Sequence, residues 1–263
     1  MTILHTLILG IVEGITEFLP ISSTAHLEIV QRLLLIPTTD FIKSFEIAIQ
    51  LGAIFAVVFL YRKKIFFSGN LSWLYFKNVL IAFIPTGIIG LLLYKIIKSF
   101  LLGNLLIAGS MLLLGGVIIV FYEHRQKNKN DDISTKTIET LSTRELLTLG
   151  FAQSLAVVPG VSRSGAVIIS GRMLGLPKVL ITEFSFLLAI PTMLAATAYD
   201  LLKSGFSFSG GEWGTISIGF LVSFVVAFFV VKWLLDYIKK HSFSAFGWYR
   251  IVLGLIVIFF IVF

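Results

Sequence analysis

The stretch LILGIVEGITEFLPISST (residues 7–24) returns 140 positions later as LTLGFAQSLAVVPGVSRS (residues 147–164). Gly10 aligns with Gly150, Glu13 with Gln153 and Ser22 with Ser162, while Pro20 and Pro159 slip by one position. Each copy is apolar until a proline and a set of hydroxyls interrupt it. A proline ends one helix, and serine oxygens satisfy the free N–H groups that open the next. Regions 1–36 and 145–178 are therefore each expected to form two half-helices meeting at a polar turn.

The rest of the chain sets the medium. Hydrophobic residues make up 57% and charged residues 13%, with a mean hydropathy of +0.98. A soluble domain carries about 25% charged residues. Six further segments, near 41–61, 78–94, 101–122, 181–202, 214–236 and 246–263, are long enough to cross a hydrocarbon core of about 30 Å. Broken backbone at membrane depth is tolerated only inside protein or beside a wet cavity. The two interrupted regions are thus expected to be re-entrant hairpins. Each is followed by three spans, an odd number, so the second copy is expected to be inverted relative to the first. Inverted repeats with broken helices are a transporter-like arrangement, and the two polar turns are expected to face one another.

The expected fold is an all-α integral membrane protein: six transmembrane helices, two re-entrant helical hairpins and an inverted-topology repeat. Residues 1–263 read as a single membrane domain, with repeat one at 1–122, a cytoplasmic linker at 123–142 and repeat two at 143–263. The linker is the one long hydrophilic stretch, and Ser142 with Glu145 has capping-box spacing for the helix that follows. No basic residue precedes Arg32, so a cleavable signal sequence is not expected. Cysteine is absent, which excludes disulfides, thiolate catalysis and cysteine-ligated metals.

Basic residues test the layout. If the first hairpin enters from outside, fifteen fall in the cytoplasm: Arg62, Lys63, Lys64, Lys77, Arg125, Lys127, Lys129, Lys136, Arg144, Arg172, Lys178, Lys232, Lys239, Lys240 and Arg250. Five fall outside, Arg32, Lys43, Lys95, Lys98 and Lys203, and Arg163 stays within the second hairpin. The bias follows the positive-inside rule and accounts for the net charge of +7, so no nucleic acid is expected as a partner. The same counting puts the first hairpin's mouth and both chain ends on the outer face.

Glu13 and Glu17, four apart, project from one helical face. An ionised carboxylate near the bilayer centre costs about 2.5–3.5 kcal/mol on insertion scales, so two together need a use or a partner. They suit a divalent cation, or one of them suits a general base. Beyond Pro20 lie Ser22, Ser23, Thr24 and His26; serines there often serve only as caps, whereas a buried histidine can donate, accept or attack. In the second turn, PGVSRSG (159–165) supplies Gly160, Ser162, Arg163 and Ser164, with exposed amides and a guanidinium fork suited to phosphate oxygens. Carboxylates, hydroxyls, imidazole and arginine together describe phosphoryl chemistry. Pro20 is expected to turn Ser23 and His26 back toward Glu17. Glu46, Gln50 and Glu183 are intramembrane, but helix-to-helix hydrogen bonding explains them equally well. His5, His124 and His241 read as structural.

GIVEGITEFLPISSTAHL and PGVSRSGAVI resemble the two signature regions of the bacterial undecaprenyl-diphosphate phosphatase family, also called the bacitracin-resistance protein. FEIAIQLGAIFAVVFLYRKKI (45–65) and EFSFLLAIPTM (183–193) are similar to family segments too. The resemblance implies dephosphorylation of undecaprenyl diphosphate to undecaprenyl phosphate, which recycles the lipid carrier of peptidoglycan synthesis and confers bacitracin resistance. It implies a Mg2+ or Ca2+ cofactor, a polyprenyl diphosphate in the bilayer as substrate, and a bacterial plasma membrane location. It places the metal-holding pair on Glu13 and Glu17, the catalytic serine on Ser23, the histidine on His26 and the phosphate-binding arginine on Arg163. Ser22, Thr24, Gly160, Ser162 and Ser164 complete the expected substrate-binding set. Ala25 stands where the family commonly has glycine, and Val167 where it often has threonine. A homodimer is left open.

The residues admit three attacks on phosphorus: by Ser23 activated by Glu17 or His26, by His26 itself, or by water activated by Glu17. A lipid or anion carrier is the competing class. A third class, lipid phosphatases with a second histidine after the SR motif, fits less well, since only His241 follows and it lies far downstream.

Overall fold

The computed structural model describes residues 1–66, 70–96, 101, 103–126, 136–204 and 208–262. Among them run ten α-helices: α1 (Ile3–Thr16), α2 (Ser23–Leu33), α3 (Asp40–Phe66), α4 (Asn70–Ile96), α5 (Leu105–Gln126), α6 (Thr143–Ser154), α7 (Arg163–Met173), α8 (Lys178–Ser204), α9 (Gly210–Lys240) and α10 (Ser244–Val262). There are no strands among the described residues, as an apolar solvent requires of any chain that does not close a barrel. Six helices, α3, α4, α5, α8, α9 and α10, are long and apolar enough to cross a membrane.

Helix ends differ from the hydropathy boundaries for local reasons. α3 continues to Phe66 rather than stopping at 61, because a basic side chain can lie along the helix with its head toward water; the Arg62 guanidinium sits 4.3 Å from the centroid of the Phe59 ring. α5 begins at Leu105 instead of 101, since Gly103 has a φ of 83° and Asn104 accepts a hydrogen bond from the Ile107 amide at 3.2 Å. Of the linker, residues 127–135 lie outside the described residues, as do Lys98, Lys127, Lys129 and Phe263. Its first residues, 123–126, continue α5, and its described end makes a 3-10 turn at Ile138–Thr140, whose Ile138 carbonyl accepts from the Asn78 side chain at 2.9 Å. The Ser142–Glu145 capping box then opens α6.

Two of the basic residues counted on the cytoplasmic side do not reach the surface. Arg172 and Arg250 are both buried, and Arg172 donates to the Leu176 carbonyl at 2.9 Å. Without them the count stands at thirteen against five.

The two interrupted regions fold alike. α1 stops short of Pro20 and α2 starts after Ser22, at φ 70° and ψ 93°. α6 passes through a short 3-10 turn, and α7 starts after Ser162, at φ 69° and ψ 111°. At the other end, Leu35 and Gly175 take positive φ values of 53° and 76°. The Ile36 amide then donates to the Gln31 carbonyl and the Leu176 amide to the Gly171 carbonyl, the closing bonds of matched Schellman turns. These equivalent positions are all 140 apart.

Packing exchanges between the halves in the same register. A Cβ at Gly10 would meet the Gly219 carbonyl oxygen at 3.0 Å and Val222 at 3.1 Å, so α1 lies close against α9. A Cβ at Gly150 would meet the Ala82 carbonyl oxygen at 2.1 Å, so α6 lies still closer against α4. Val222 and Ala82 are again 140 apart. Such close backbone approach is how helices associate in lipid, where burial in protein offers little hydrophobic gain over burial in acyl chains. Phe59, Phe121, Leu221 and Phe260 point outward as an apolar surface, while Phe18, Leu19, Ile21, Phe184 and Phe186 share one core around the first turn.

Candidate active site

Glu17 closes α1 and Ser23 opens α2. Pro20 prevents the helix from running through, and the left-handed backbone at Ser22 reverses the chain, so the two side chains meet although six residues separate them. Ser23 Oγ donates to Glu17 Oε2 at 2.5 Å, in the range of a charge-assisted O–H···O⁻ bond. Both residues are buried. Ser22 does not cap α2 with its side chain. Its carbonyl instead accepts a bond from His26 Nδ1 at 2.7 Å. A carbonyl can only accept, so Nδ1 carries a proton. In the neutral ring Nε2 then accepts from the Tyr249 hydroxyl at 2.7 Å. The proline turn thus brings Ser23 to Glu17, but His26 is directed to Tyr249.

Arg163, the first residue of α7, reaches across to the first turn. Its Nη2 donates to Glu17 Oε1 at 2.9 Å and its Nη1 to the Ser185 carbonyl at 2.8 Å. One carboxylate therefore takes the serine on one oxygen and the guanidinium on the other. Ser164 Oγ donates to the Leu19 carbonyl at 2.8 Å, which commits its proton. Ser162 must therefore be the donor in the 3.2 Å contact between the two hydroxyls, while its oxygen caps α7 by accepting from the Gly165 amide. Of the expected phosphate ligands, Ser162 and Ser164 thus hold the turns together. Gly160 has a φ of 90°, a conformation glycine adopts without strain, and Thr24 is half-buried at the start of α2. Ala25 packs with Ala108 and Leu112 on α5, and Val167 is fully buried in the core.

Glu13, one turn before Glu17 on α1, is 0% exposed, and neither of its carboxyl oxygens has a hydrogen-bond partner. A buried carboxylate left in that state is costly unless something pairs with it. Among the described residues no group of three or more His, Cys, Asp or Glu gathers as a metal site. Two neighbouring carboxylates fit a hard cation that completes its shell with water and phosphate oxygens, the usual manner of Mg2+. Glu46 pairs with the Gln31 amide, and Glu183 with Lys64 at 3.1 Å, so both have structural partners. His241 bonds the Tyr237 carbonyl and stacks on its ring at the end of α9, as a structural histidine does.

Two residues that border these turns were not singled out from sequence. Tyr249 has no motif to mark it. Arg250 sits inside an apolar helix, and an intramembrane arginine is by default a functional candidate; counting it among the cytoplasmic charges hid that signal.

A family model described as bacitracin resistance protein BacA matches residues 6–256. The chain is similar to a protein named undecaprenyl-diphosphatase from Aquifex aeolicus (strain VF5), with 51% identity over 259 residues covering 97% of each chain. A second protein of that name, from Sulfurihydrogenibium sp. (strain YO3AOP1), is 52% identical over 256 residues, 97% of this chain and 98% of the other. A third, from Wolinella succinogenes, is 46% identical over 261 residues, 99% of both. With a match running almost from end to end and relatives of this identity, the chain belongs to the bacitracin resistance protein BacA family.

Proposed function

We propose that this chain is a membrane phosphatase that converts undecaprenyl diphosphate to undecaprenyl phosphate and inorganic phosphate. The observation that carries the reading is the meeting of Ser23 and Arg163 on the two oxygens of Glu17, contributed by two turns that lie 140 residues apart. A hydroxyl bonded to a buried carboxylate is an activated nucleophile, and a guanidinium beside it is a phosphate ligand. Two of the five Arg163 N–H groups are used by Glu17 and Ser185, which leaves others for phosphate oxygens. The names of the relatives support the substrate.

In this reading Ser23 Oγ attacks the terminal phosphorus as Glu17 takes its proton, and the bridging P–O bond breaks to release undecaprenyl phosphate, whose leaving oxygen carries that proton away and frees the carboxylate. Water then attacks the phosphoserine with the freed carboxylate as base, the Oγ–P bond breaks to release inorganic phosphate, and the proton taken from the water returns to Ser23 Oγ. His26 is a weaker candidate nucleophile because Ser22 and Tyr249 occupy both of its nitrogens; it and Tyr249 border the site. Glu13 and Glu17 would hold a divalent cation, which when bound offsets the charge of the diphosphate. Ser22, Thr24, Gly160 and the serines of the second turn shape the pocket for the phosphates.

The same reading treats α1–α2 and α6–α7 as re-entrant hairpins in an inverted repeat within one membrane domain. Matched turn dihedrals, matched Schellman ends and the exchanged α1–α9 and α6–α4 packing support it. The remaining excess of basic residues on one side supports a mouth on the outer face of the plasma membrane. Recycling of the peptidoglycan lipid carrier and bacitracin resistance follow from the family.

The test is phosphate release from undecaprenyl diphosphate by the purified chain in nanodiscs, with and without chelator. Full activity in Glu17→Gln or Arg163→Ala overturns the assignment. A phosphoenzyme trapped at Ser23 supports the serine step, and one at His26 rejects it. Transport of the lipid without phosphate release would favour a carrier instead.

A further inference from the structure

The side chain of Arg250 is 1% exposed and lies between three segments. Its Nε donates to the Leu112 carbonyl at 3.3 Å. Nη1 donates to Pro20 at 3.0 Å and Val161 at 3.1 Å, and Nη2 to Gly160 at 2.8 Å and Met111 at 3.0 Å. An arginine has five N–H groups, and all five end on main-chain carbonyls. Pro20 and Gly160 are equivalent positions of the two turns, 140 apart, each three residues before a site side chain, Ser23 or Arg163.

Three of these carbonyls need such a partner. Pro20, Gly160 and Val161 lie where the helices break, so no helical amide follows to satisfy them, and a buried unpaired carbonyl is costly. A planar fork satisfies several at once and fixes their relative positions; Nη1 alone bridges one turn to the other. A lysine ammonium has three donors and no plane, so it cannot reproduce the pattern. α5 is shaped around the group: a Cβ at Gly115 would fall 2.0 Å from Nη2. None of the five bonds goes to Glu17, Ser23 or Arg163. The hydrogen bonds of Arg250 therefore reach the site only through the backbone.

We infer that Arg250 is a positioning residue, a clasp on α10 that holds the two turns at the separation at which Ser23 and Arg163 can both meet Glu17. The inference rests on the phosphatase reading for its consequence, though not for its geometry.

Two measurements on the full chain in nanodiscs test it. In Arg250→Lys, kcat for phosphate release is expected to fall about a hundredfold with KM within about threefold, the effect of displacing reacting groups by about 1 Å. Amide exchange read by mass spectrometry is expected to rise in residues 19–24 and 159–165 together, with α3 and α8 at wild-type rates. Unchanged kcat, or exchange that rises evenly over all helices, overturns the clasp. If Arg250→Lys does not fold, the wild-type chain labelled in its arginine guanidinium nitrogens serves instead. Once assigned, the Arg250 guanidinium should show resolved, slowly exchanging Nη protons, and averaged Arg250 signals overturn the inference. If the wild-type chain releases no phosphate while the turns respond as expected, the phosphatase reading fails and the clasp stands.

Discussion

The ion pair between Glu17 and Arg163 joins the two turns, and its coupling can be measured. The side chains are 5% and 10% exposed and meet at 2.9 Å. Replacing Glu17 by Gln leaves a buried guanidinium without its counter-charge, and replacing Arg163 by Gln leaves a buried carboxylate with only Ser23 to bond it. Breaking a buried pair from one side costs about 3–5 kcal/mol, because the charge that remains is uncompensated. Each single substitution should therefore destabilise by about that amount. The double substitution removes both charges and should cost no more than either single one, so the two effects are strongly non-additive. Reversible unfolding in mixed micelles, followed by the fluorescence of the four tryptophans, gives the three values. Phosphate release on the same samples separates stability from chemistry: the double variant should recover stability relative to the sum and still be inactive. Additive costs would show that the pair is not coupled as its geometry implies, and a double variant with wild-type activity would remove both residues from the mechanism.

Loss of the unpartnered carboxylate in Glu13→Ala should abolish the rise in melting temperature produced by millimolar Mg2+ or Ca2+ on the wild-type chain, read without substrate; an unchanged rise would place the cation elsewhere. Gly150→Ala puts a methyl group 2.1 Å from the Ala82 carbonyl oxygen and should cost about 1–3 kcal/mol by separating α6 from α4. Gly90→Ala, with nothing within 4 Å of its Cβ, should be neutral or stabilising by up to about 1 kcal/mol in the same unfolding assay. Burial alone would raise the carboxyl of Glu145, but bonds from the Lys136 ammonium and from the amide and hydroxyl of Ser142 hold it below its ordinary value. A lowered folded value means the cap contributes fully above the unfolded pKa of about 4.3 and is lost as pH falls through the folded one. Amide protection in the first turn of α6 should fall over that acidic window in the wild-type chain and be independent of pH there in Glu145→Gln.

Much of the site is legible because its parts are local. Glu17 and Ser23 are six residues apart with a proline between them, and a chain that cannot continue as a helix there has few ways to turn. Glu13 is visible for the same reason, as a carboxylate one turn away on an apolar helix. Ser22 shows the limit of that reasoning. Its type and place suit a cap, yet its side chain makes none, although Ser162 at matching dihedrals does cap α7; what Ser22 contributes is its carbonyl, which accepts from His26. His26 shows a second limit, since its partner Tyr249 lies 223 residues away and carries no motif.

Arg172 and Arg250 illustrate the same division. Hydropathy and charge counting treat every arginine near a helix end or between apolar stretches as a solvated head, and for most that suffices. Burial depends on what other segments place around the group, here five carbonyls from three parts of the chain around Arg250.

The amino-acid sequence by itself determined the medium, the six long apolar helices and the two interrupted regions, because water-to-lipid transfer, proline geometry and helix capping act within about twenty residues. It also carried the 140-residue repeat that marks the two turns as counterparts. Only the tertiary structure decided that Arg163 shares the Glu17 carboxylate with Ser23, that His26 turns to Tyr249, and that Arg250 ties the turns together. Those contacts span 146, 223 and 230 residues. At such separations no local preference selects a partner; the packing of α1 on α9, α6 on α4 and α10 on α5 brings the groups within hydrogen-bond range.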